Sequence, residues 1–369
     1  MDPADDGSLR GFRTKRTLNP MTNPSVTVVI PTFNRARELE RALEGLEGQS
    51  VGSSLRVIVV DNSSTDSTRS LMEALVPRWD GRLTYIVKEP EGPASARNVG
   101  LAAADTPYVL FQDSDIELPP EWVERALAHI ENEPDLAGVG GYIMYGCAPD
   151  RVNAYGGDLG LLGLAWDLHE NSVMNPATRA AERIWINCSA MLVRTAAVVA
   201  VGAFDERFFY GYEDSDLGWR LNLAGFRLRV FPDLKARHHV EADPGAAHPQ
   251  IVFHYCKNRL RSILKNSSAT WLPLMLAGYL AYATLDLLLR GPRGGKLRAL
   301  RWNIAHLGET IAMRRFVQRR RAIPDRTVFG RGSTHLLPPS PLAGRRRRPL
   351  VTASAVHALH GAPARDDRI

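Results

Sequence analysis

The sequence predicts an α/β protein built on a doubly wound, mostly parallel sheet. Three observations carry that expectation. Short runs of Val, Ile and Leu recur without polar alternation, each is followed by a turn and then by apolar residues at helical spacing, and several end in a cluster of Asp, Asn, Ser or Thr. Strands buried on both faces read as continuous apolar runs, and helices between parallel strands make right-handed crossovers. In such sheets ligands bind beyond the carboxyl ends of the strands, so the residues just after each strand are the ones placed to carry chemistry.

Taken in order, Val26–Ile30 is a strand ended by Pro31, and Arg35–Gly48 is a helix with Leu39, Ala42, Leu43 and Leu46 at i, i+3, i+4 and i+7. Leu55–Val60 runs into Asp61-Asn62-Ser63-Ser64, with a helix from about Thr65 to Leu75. Leu83–Val87 runs into a Gly/Pro loop with a helix from about Ser95 to Ala104, and Tyr108–Phe111 runs into Asp113-Ser114-Asp115. After Pro119-Pro120 a helix spans Glu121–Asn132. Beyond Gly141 the pattern loosens. Trp185–Val193 reads as a strand, Glu213–Ala224 as a helix and Phe226–Phe231 as a last strand. Trp271–Leu289 is the most apolar stretch, but Pro273 and Asp286 interrupt it. Against the ~20 apolar residues of a spanning helix it reads better as an interfacial or core helix. Leu297–Arg321 is a basic amphipathic segment.

With 369 residues, 44% hydrophobic and 23% charged, the chain is neither disordered throughout, collagenous nor a coiled coil. Cys147, Cys188 and Cys256 lie far apart and form no CxxC pair, which excludes a disulfide framework or zinc ribbon and suits a reducing cytosol. The formal charge of +6 hides an asymmetry: Arg290–Ile369 holds 18 Lys and Arg against 4 Asp and Glu, leaving the preceding body mildly acidic. A basic tail suits anionic lipid, phosphorylated substrate or nucleic acid. The first residues lack the apolar core of a secretory signal. The organisation expected is a disordered arm over 1–24, a catalytic-type α/β domain over 25–265, apolar and basic amphipathic helices over 266–321, and a basic, mostly disordered tail over 322–369.

Several residues stand where chemistry is possible, each with a plain structural alternative. Asp113 and Asp115 are hard oxygen ligands suited to Mg²⁺ or Mn²⁺, or an Asp-rich helix cap. Asp61 can accept hydrogen bonds from a nucleoside, or close an Asx turn. Arg97 and Asn98 open a helix behind a flexible loop, where a nucleotide or plain solvent can meet them. Glu213, Asp214 and Asp216 start a helix; an ionised Asp there can serve as general base, or simply complement the dipole. His238 or His239 can complete a metal shell, although a His is more often structural. The aromatic cluster Trp185, Phe204, Phe208, Phe209, Tyr210, Tyr212 and Trp219 can stack on a sugar face or fill the core. No GxGxxG follows a strand and no GxxxxGK[ST] occurs, which disfavours dinucleotide and P-loop NTPase sites.

Together VVIPTFNR, VIVVDNSSTDST, GPASARNVGL, YVLFQDSD and NCSAMLVR…VGAFDERFFYGYEDSDLGWRLNLAGF, in this order, resemble family 2 glycosyltransferases of GT-A fold over Ser25–Lys265. EDSDL with the downstream histidines and YCKNRLRSILKN is most similar to the rhamnosyltransferase-like branch. The resemblance implies a nucleotide-binding half and an acceptor half, with Pro31, Thr32, Asn34, Asp61, Arg97, Asn98, Asp113 and Ser114 toward the nucleotide sugar. It implies Asp115 as the more direct ligand of Mg²⁺ or Mn²⁺, with Asp113 and His238 beside it, although His239 can fill the last role. Asp214 matches the base with Glu213 next to it, and Asp216 and Trp185 match the acceptor side. Two departures touch the acceptor pocket: Cys188 stands where a Gly is commoner, and His238-His239-Val-Glu-Ala-Asp lacks the usual small residues.

The reaction implied is a single displacement with inversion, moving a sugar from a dTDP- or UDP-sugar, rhamnose among the candidates, to a hydroxyl of a cell-surface polysaccharide or polyprenyl-linked glycan. A nucleoside diphosphate leaves without protonation, so one base and one cation suffice. The expected location is cytoplasmic, peripheral on the inner face of the cell membrane, with an anionic membrane surface as a partner and no nucleic acid. A catalytically silent nucleotide-sugar-binding module of the same fold is the alternative.

Overall fold

The computed structural model describes residues 25–239, 242–243, 249–332 and 351–352. The expected arm over 1–24, and the tail beyond 332 apart from two residues, lie outside the described residues. The first half alternates as the apolar runs require: β1 (Val26–Thr32), α1 (Ala36–Glu47), β2 (Leu55–Asp61), α2 (Thr68–Leu75), β3 (Leu83–Val87), α3 (Pro93–Ala103), β4 (Tyr108–Gln112), the short β5 (Ile116–Glu117) and α4 (Trp122–Asn132). The second half is irregular, with β6 (Leu136–Tyr145), β7 (Ala148–Ala154), β8 (Gly157–Leu159), β9 (Ala165–Asp167), β10 (Ala181–Glu182), β11 (Ala190–Arg194), α5 (Thr195–Ala200), α6 (Glu213–Leu223) and β12 (Arg227–His238). Five helices follow: α7 (Pro249–Asn266), α8 (Leu272–Leu289), α9 (Arg293–Ala305), α10 (Leu307–Arg319) and α11 (Asp325–Phe329).

The main sheet runs β10-β12-β6-β11-β4-β1-β2-β3, with β5 on β12 and β7 on β6. β1 pairs parallel with β2 and β4, β2 with β3, and β6 with β12, while β11 is antiparallel to both β4 and β6. The strand order reverses between β1 and β4, so the loops after these two strands open a crevice at the switch point. Helices cover both faces. Val28, Ile30, Val57 and Val59 pack on α1, α2 and α4, and Val29, Val109 and Phe111 pack on α3, α5 and α6. Gly100 lets α3 lie close on β1, since a Cβ there would meet Val29 Cγ1 at 2.3 Å.

Three expectations change. The strand expected over Trp185–Val193 begins only at Ala190, and the preceding residues form a loop bridged to Gly157. The last strand continues past Pro232 to His238, with its register against β6 shifting between Val230 and Lys235; a proline cannot donate to the ladder, so the pairing skips it. The basic segment over Leu297–Arg321 breaks at His306 into α9 and α10.

The expected boundaries at 265 and 322 also fall differently. Arg314 donates to Leu264 O and Ser267 O at 2.7 Å, and Gln318 donates to Lys265 O, Asn266 O and Ser267 O, satisfying the end of α7. The residues from Ala322 to Gly332 are folded against the body: Ala322 N–H donates to Leu223 O, Val328 is buried, and Phe329 stacks on Trp271 at 5.5 Å between ring centroids. α8 buries Met275 and Tyr279 against this layer and exposes Leu274, Leu280, Leu285, Leu288 and Leu289.

Candidate active site

A cavity of about 390 Å³ opens at the switch point. Its floor is the end of β1 (Pro31, Thr32) with Arg35 just beyond it, and the loop after β4 (Asp113, Ser114, Asp115). Arg97 of α3, Glu213 and Asp214 at the start of α6, and His238 at the end of β12 converge on it. The wall is completed by Asn62, Trp166, Asp167, Trp185, Asn187, Tyr210, Tyr212 and Tyr255. Strand ends and helix starts thus deliver the polar residues, as the fold class requires.

Asp115 is buried, with Oδ1 3.3 Å from His238 Nε2 and the Arg35 guanidinium paired to Oδ2. Burial alone would raise its carboxyl; His238 and Arg35 outweigh burial and hold it well below the usual carboxylate range. Asn153 Oδ1 lies 2.8 Å from His238 Nδ1 and so fixes a proton on that nitrogen, turning Nε2 toward Asp115. His239 leaves the cavity: its ring pairs with Glu117 at 2.8 Å.

Arg97 lies between the two acidic motifs. Its Nη2 donates to Asp113 Oδ1 at 2.7 Å, and its Nη1 lies 3.3 Å from Glu213 Oε1 and 3.9 Å from Asp214 Oδ1. Asp214 Oδ2 accepts the Cys188 N–H at 3.0 Å, whereas Oδ1, buried, has no hydrogen-bond partner. Burial pushes the Glu213 and Asp214 carboxyls up, that of Glu213 also because Asp214 stands beside it, with Arg97 opposing in both. The loop that presents Cys188 is pressed onto α6 at Gly218, where a Cβ would come within 2.5 Å of Trp185 Cβ. Trp185 itself is anchored by Nε1 donating to Asp158 O at 2.9 Å.

Four residues expected at the ligand stand elsewhere. Asp61 is buried and accepts from Ser64 N–H at 2.8 Å, from Ser64 Oγ and from the Tyr85 hydroxyl, closing its own turn; its neighbour Asn62 lines the cavity instead. Asn34, at φ +52°, accepts from the amides of Thr65 and Asp66 and braces one loop on another. Asn98 clips Phe204 through both its N–H and C=O at 3.0 Å. Asp216, expected on the acceptor side, is two residues and so about 200° around the helix from Asp214. It is buried behind α6 with Arg220 and Lys265 at 2.8 and 2.9 Å.

Conversely, Arg35, Trp166, Asp167, Asn187 and Tyr255 line the cavity without having been singled out. Arg35 stands in the PTFNR motif and was open to reading there; Trp166 and Asp167 lie on a strand too short to show a period. Burial pushes the Asp167 carboxyl up to about 7, against a hydrogen bond from Asn187 Nδ2 at 2.8 Å.

A divalent cation fits the Asp115 end. Among the described residues no three His, Cys, Asp or Glu side chains converge on one point. Asp115 and His238 nevertheless present a carboxylate oxygen and an imidazole nitrogen 3.3 Å apart, the spacing of neighbouring ligands on one ion. Such a half-shell suits an ion completed by phosphate oxygens and water. Asp113 is drawn instead to Arg97.

Comparison with known proteins agrees with this architecture. Residues 27–176 match the model of glycosyl transferase family 2. The glycosyltransferase AglE of Haloferax volcanii is 30% identical over 224 residues, covering 59% of this chain and 67% of that protein. The pre-mycofactocin glycosyltransferase of Mycobacterium tuberculosis is 35% identical over 227 residues, 59% of this chain and 44% of that one. The validoxylamine A glucosyltransferase of Streptomyces hygroscopicus is 29% identical over 241 residues, 56% of this chain and 53% of that one. The chain therefore belongs to glycosyl transferase family 2, and it spans about half the length of most of these curated relatives. Among solved structures, GalNAc-T7 with UDP, GalNAc and Mn²⁺ superposes with a TM-score of 0.57 at 14% identity, over 78% of this chain and 57% of that one. TarS of S. aureus gives 0.52 at 19% identity, over 83% and 54%. These likenesses are of fold, and the fold is GT-A.

Proposed function

We propose that this chain is an inverting transferase that moves a sugar from a nucleoside diphosphate sugar to a hydroxyl of a glycan or polyprenyl-linked acceptor. The observation that carries the reading is Asp214: one oxygen is held by the Cys188 amide, and the other is buried without a partner at a cavity whose far end carries Asp115 and His238. An oriented carboxylate with one unused oxygen can take the acceptor's proton as the hydroxyl attacks the anomeric carbon from the face opposite the leaving group. Arg97 opposes the protonation that burial favours, and the Cys188 amide fixes the Asp214 rotamer. Asp115 and His238 would hold Mg²⁺ or Mn²⁺, which when bound neutralises charge developing on the leaving diphosphate. Arg35, Thr32 and Ser114 line the same end and suit the phosphates.

For the transferred sugar the motif resemblance favours rhamnose, and the name of the validoxylamine A relative favours glucose. The test is nucleoside diphosphate release from dTDP-rhamnose, UDP-glucose, other UDP-sugars and GDP-mannose, with Mg²⁺ or Mn²⁺ and with EDTA. Metal-dependent turnover of one donor, lost by more than ~100-fold in Asp214→Asn and in Asp115→Ala, is expected. Tight donor binding with no turnover by any acceptor-supplemented wild type would favour a silent binding module.

We propose further that α8–α10 rest on an anionic cytoplasmic leaflet. Leu285, Leu288 and Leu289 of α8, Leu297, Leu300 and Ile304 of α9, and Leu307 and Ile311 of α10 are exposed beside exposed Arg290, Arg293, Arg301 and Arg315. Asp286, the acid within α8, is neutralised by Lys296 at 2.6 Å. α8 is by length and composition able to cross a bilayer, but Met275 and Tyr279 fasten one side of it to the protein, which favours lying on the surface. Co-flotation with phosphatidylglycerol vesicles tests this placement.

A further inference from the structure

The hairpin of β8 and β9 stands off the main sheet and is fastened to the loop before β11 by the bridge between Gly157 and Trp185. It forms one wall of the cavity and brings Trp166 and Asp167 against Asn187. Asn187 Nδ2 donates to Asp167 Oδ1 at 2.8 Å. That bond leaves Asn187 Oδ1 and Trp166 Nε1 buried and without a hydrogen-bond partner in the same wall. Buried polar side-chain atoms are satisfied in the large majority of cases, and two exceptions on residues that line one cavity call for a ligand that satisfies them.

Their chemistry says what kind. Trp166 offers an N–H donor, Asn187 an acceptor, and the Asp167 carboxyl further acceptor capacity, which together match hydroxyl groups that both donate and accept. The position says which part of the substrate. Asn187 immediately precedes Cys188, whose amide holds Asp214, and Asp167 and Asn187 line the same cavity as Asp214, Asp115 and His238. The wall therefore shares the space that holds the base and the cation end, where the transferred sugar has to sit if attack occurs at its anomeric carbon.

We propose that Trp166, Asp167 and Asn187 form the wall that reads the hydroxyls of the transferred sugar and so select the donor. This rests on the transferase reading above. Among the described residues no side-chain hydrogen bond joins any of the three to Thr32, Arg35, Arg97 or Asp113, so their loss separates sugar recognition from nucleotide recognition.

The experiment is calorimetric titration of the full chain in Mn²⁺ with three pairs, UDP and UDP-glucose, dTDP and dTDP-rhamnose, GDP and GDP-mannose, followed by the pair that wild type binds most tightly. In Asp167→Ala and Asn187→Ala the affinity for the nucleotide sugar falls roughly 10–100-fold, the loss of one or two hydrogen bonds to a buried hydroxyl, while that for the bare nucleotide stays within about 2-fold. Trp166→Phe keeps the ring and removes only the N–H, and it shows the same selective loss at several-fold should either alanine variant fail to fold. A ratio of the two affinities that does not change in any variant overturns the proposal and leaves the transferase reading standing, including the case in which transfer is lost and the wall serves the acceptor. Absence of binding by wild type to every nucleotide and nucleotide sugar overturns both.

Discussion

Arg97 serves three carboxylates at once, and the most distant of them, Asp214 at 3.9 Å, is the one proposed to accept a proton. Burial raises the Asp214 carboxyl above its ordinary value of 3.8 and the guanidinium works against that rise. A base functions only when ionised, so kcat/KM is expected to climb with pH along a limb displaced upward from the ordinary Asp value. In Arg97→Gln the opposing charge is gone, so the limb moves to still higher pH; a pH–rate profile with the limb unmoved would remove Arg97 from this role. Asp113, Asp115, Glu213 and Asp214 were legible at this scale because each sits in a motif at the end of a strand or the start of a helix. Asp216 misled because EDSD reads as one acidic patch, whereas helical geometry turns its third carboxylate to the far side. Asp167 carried no signal at all.

Elements with a clean period were read correctly: α1, with Leu39, Leu43 and Leu46 all buried, is the clearest case. β8, β9 and β10 span two or three residues each, too few for alternation to show, and β9 is the one of them that lines the cavity. α8 was legible as an apolar helix, and its surroundings were not. Its 18 residues amount to ~27 Å of helix, with one side packed and the other open. Replacing Leu285, Leu288 and Leu289 by Glu should abolish co-flotation with phosphatidylglycerol vesicles while leaving nucleotide affinity unchanged. Equal flotation of wild type and variant would show that this face does not meet lipid. Cutting the chain at Lys265 is a poorer test, since it strips α7 of the Arg314 and Gln318 side chains that satisfy its last carbonyls.

Across the whole molecule, one buried ionic cluster joins α7 to α6 and the loop before it. Asp205 binds Arg261 and Lys265, Lys265 also binds Asp216, and Asp216 binds Arg220; all of these side chains are at most 4% exposed. Lys and Arg on a helix ordinarily belong to the surface, so the run from Lys257 to Lys265 hides this junction from a reading of composition. Burial weighs on both signs of charge, yet Asp205 and Asp216 are held below their ordinary values by Lys265, Arg261 and Arg220, while Lys265 is itself pushed below its own. Carboxylates depressed in the folded state contribute stability that is present above their unfolded value of ~3.9 and lost as pH falls through the folded one. Urea midpoints should therefore fall steeply only below about pH 4. Asp205→Asn, which leaves two buried cations short of a counter-charge, should lose roughly 3–5 kcal/mol at pH 7. A variant as stable as wild type would show that the cluster is not a junction.

The catalytic-type helix α6 ends against residues that come late in the chain: Ala322 and Ile323 donate to Leu223 O, and Arg331 donates to Asn222 Oδ1 across 109 residues. During synthesis Asp214 leaves the ribosome long before those partners are made. The nascent chain thus holds every partner of the Asp214 carboxylate before the far end of α6 has met its own.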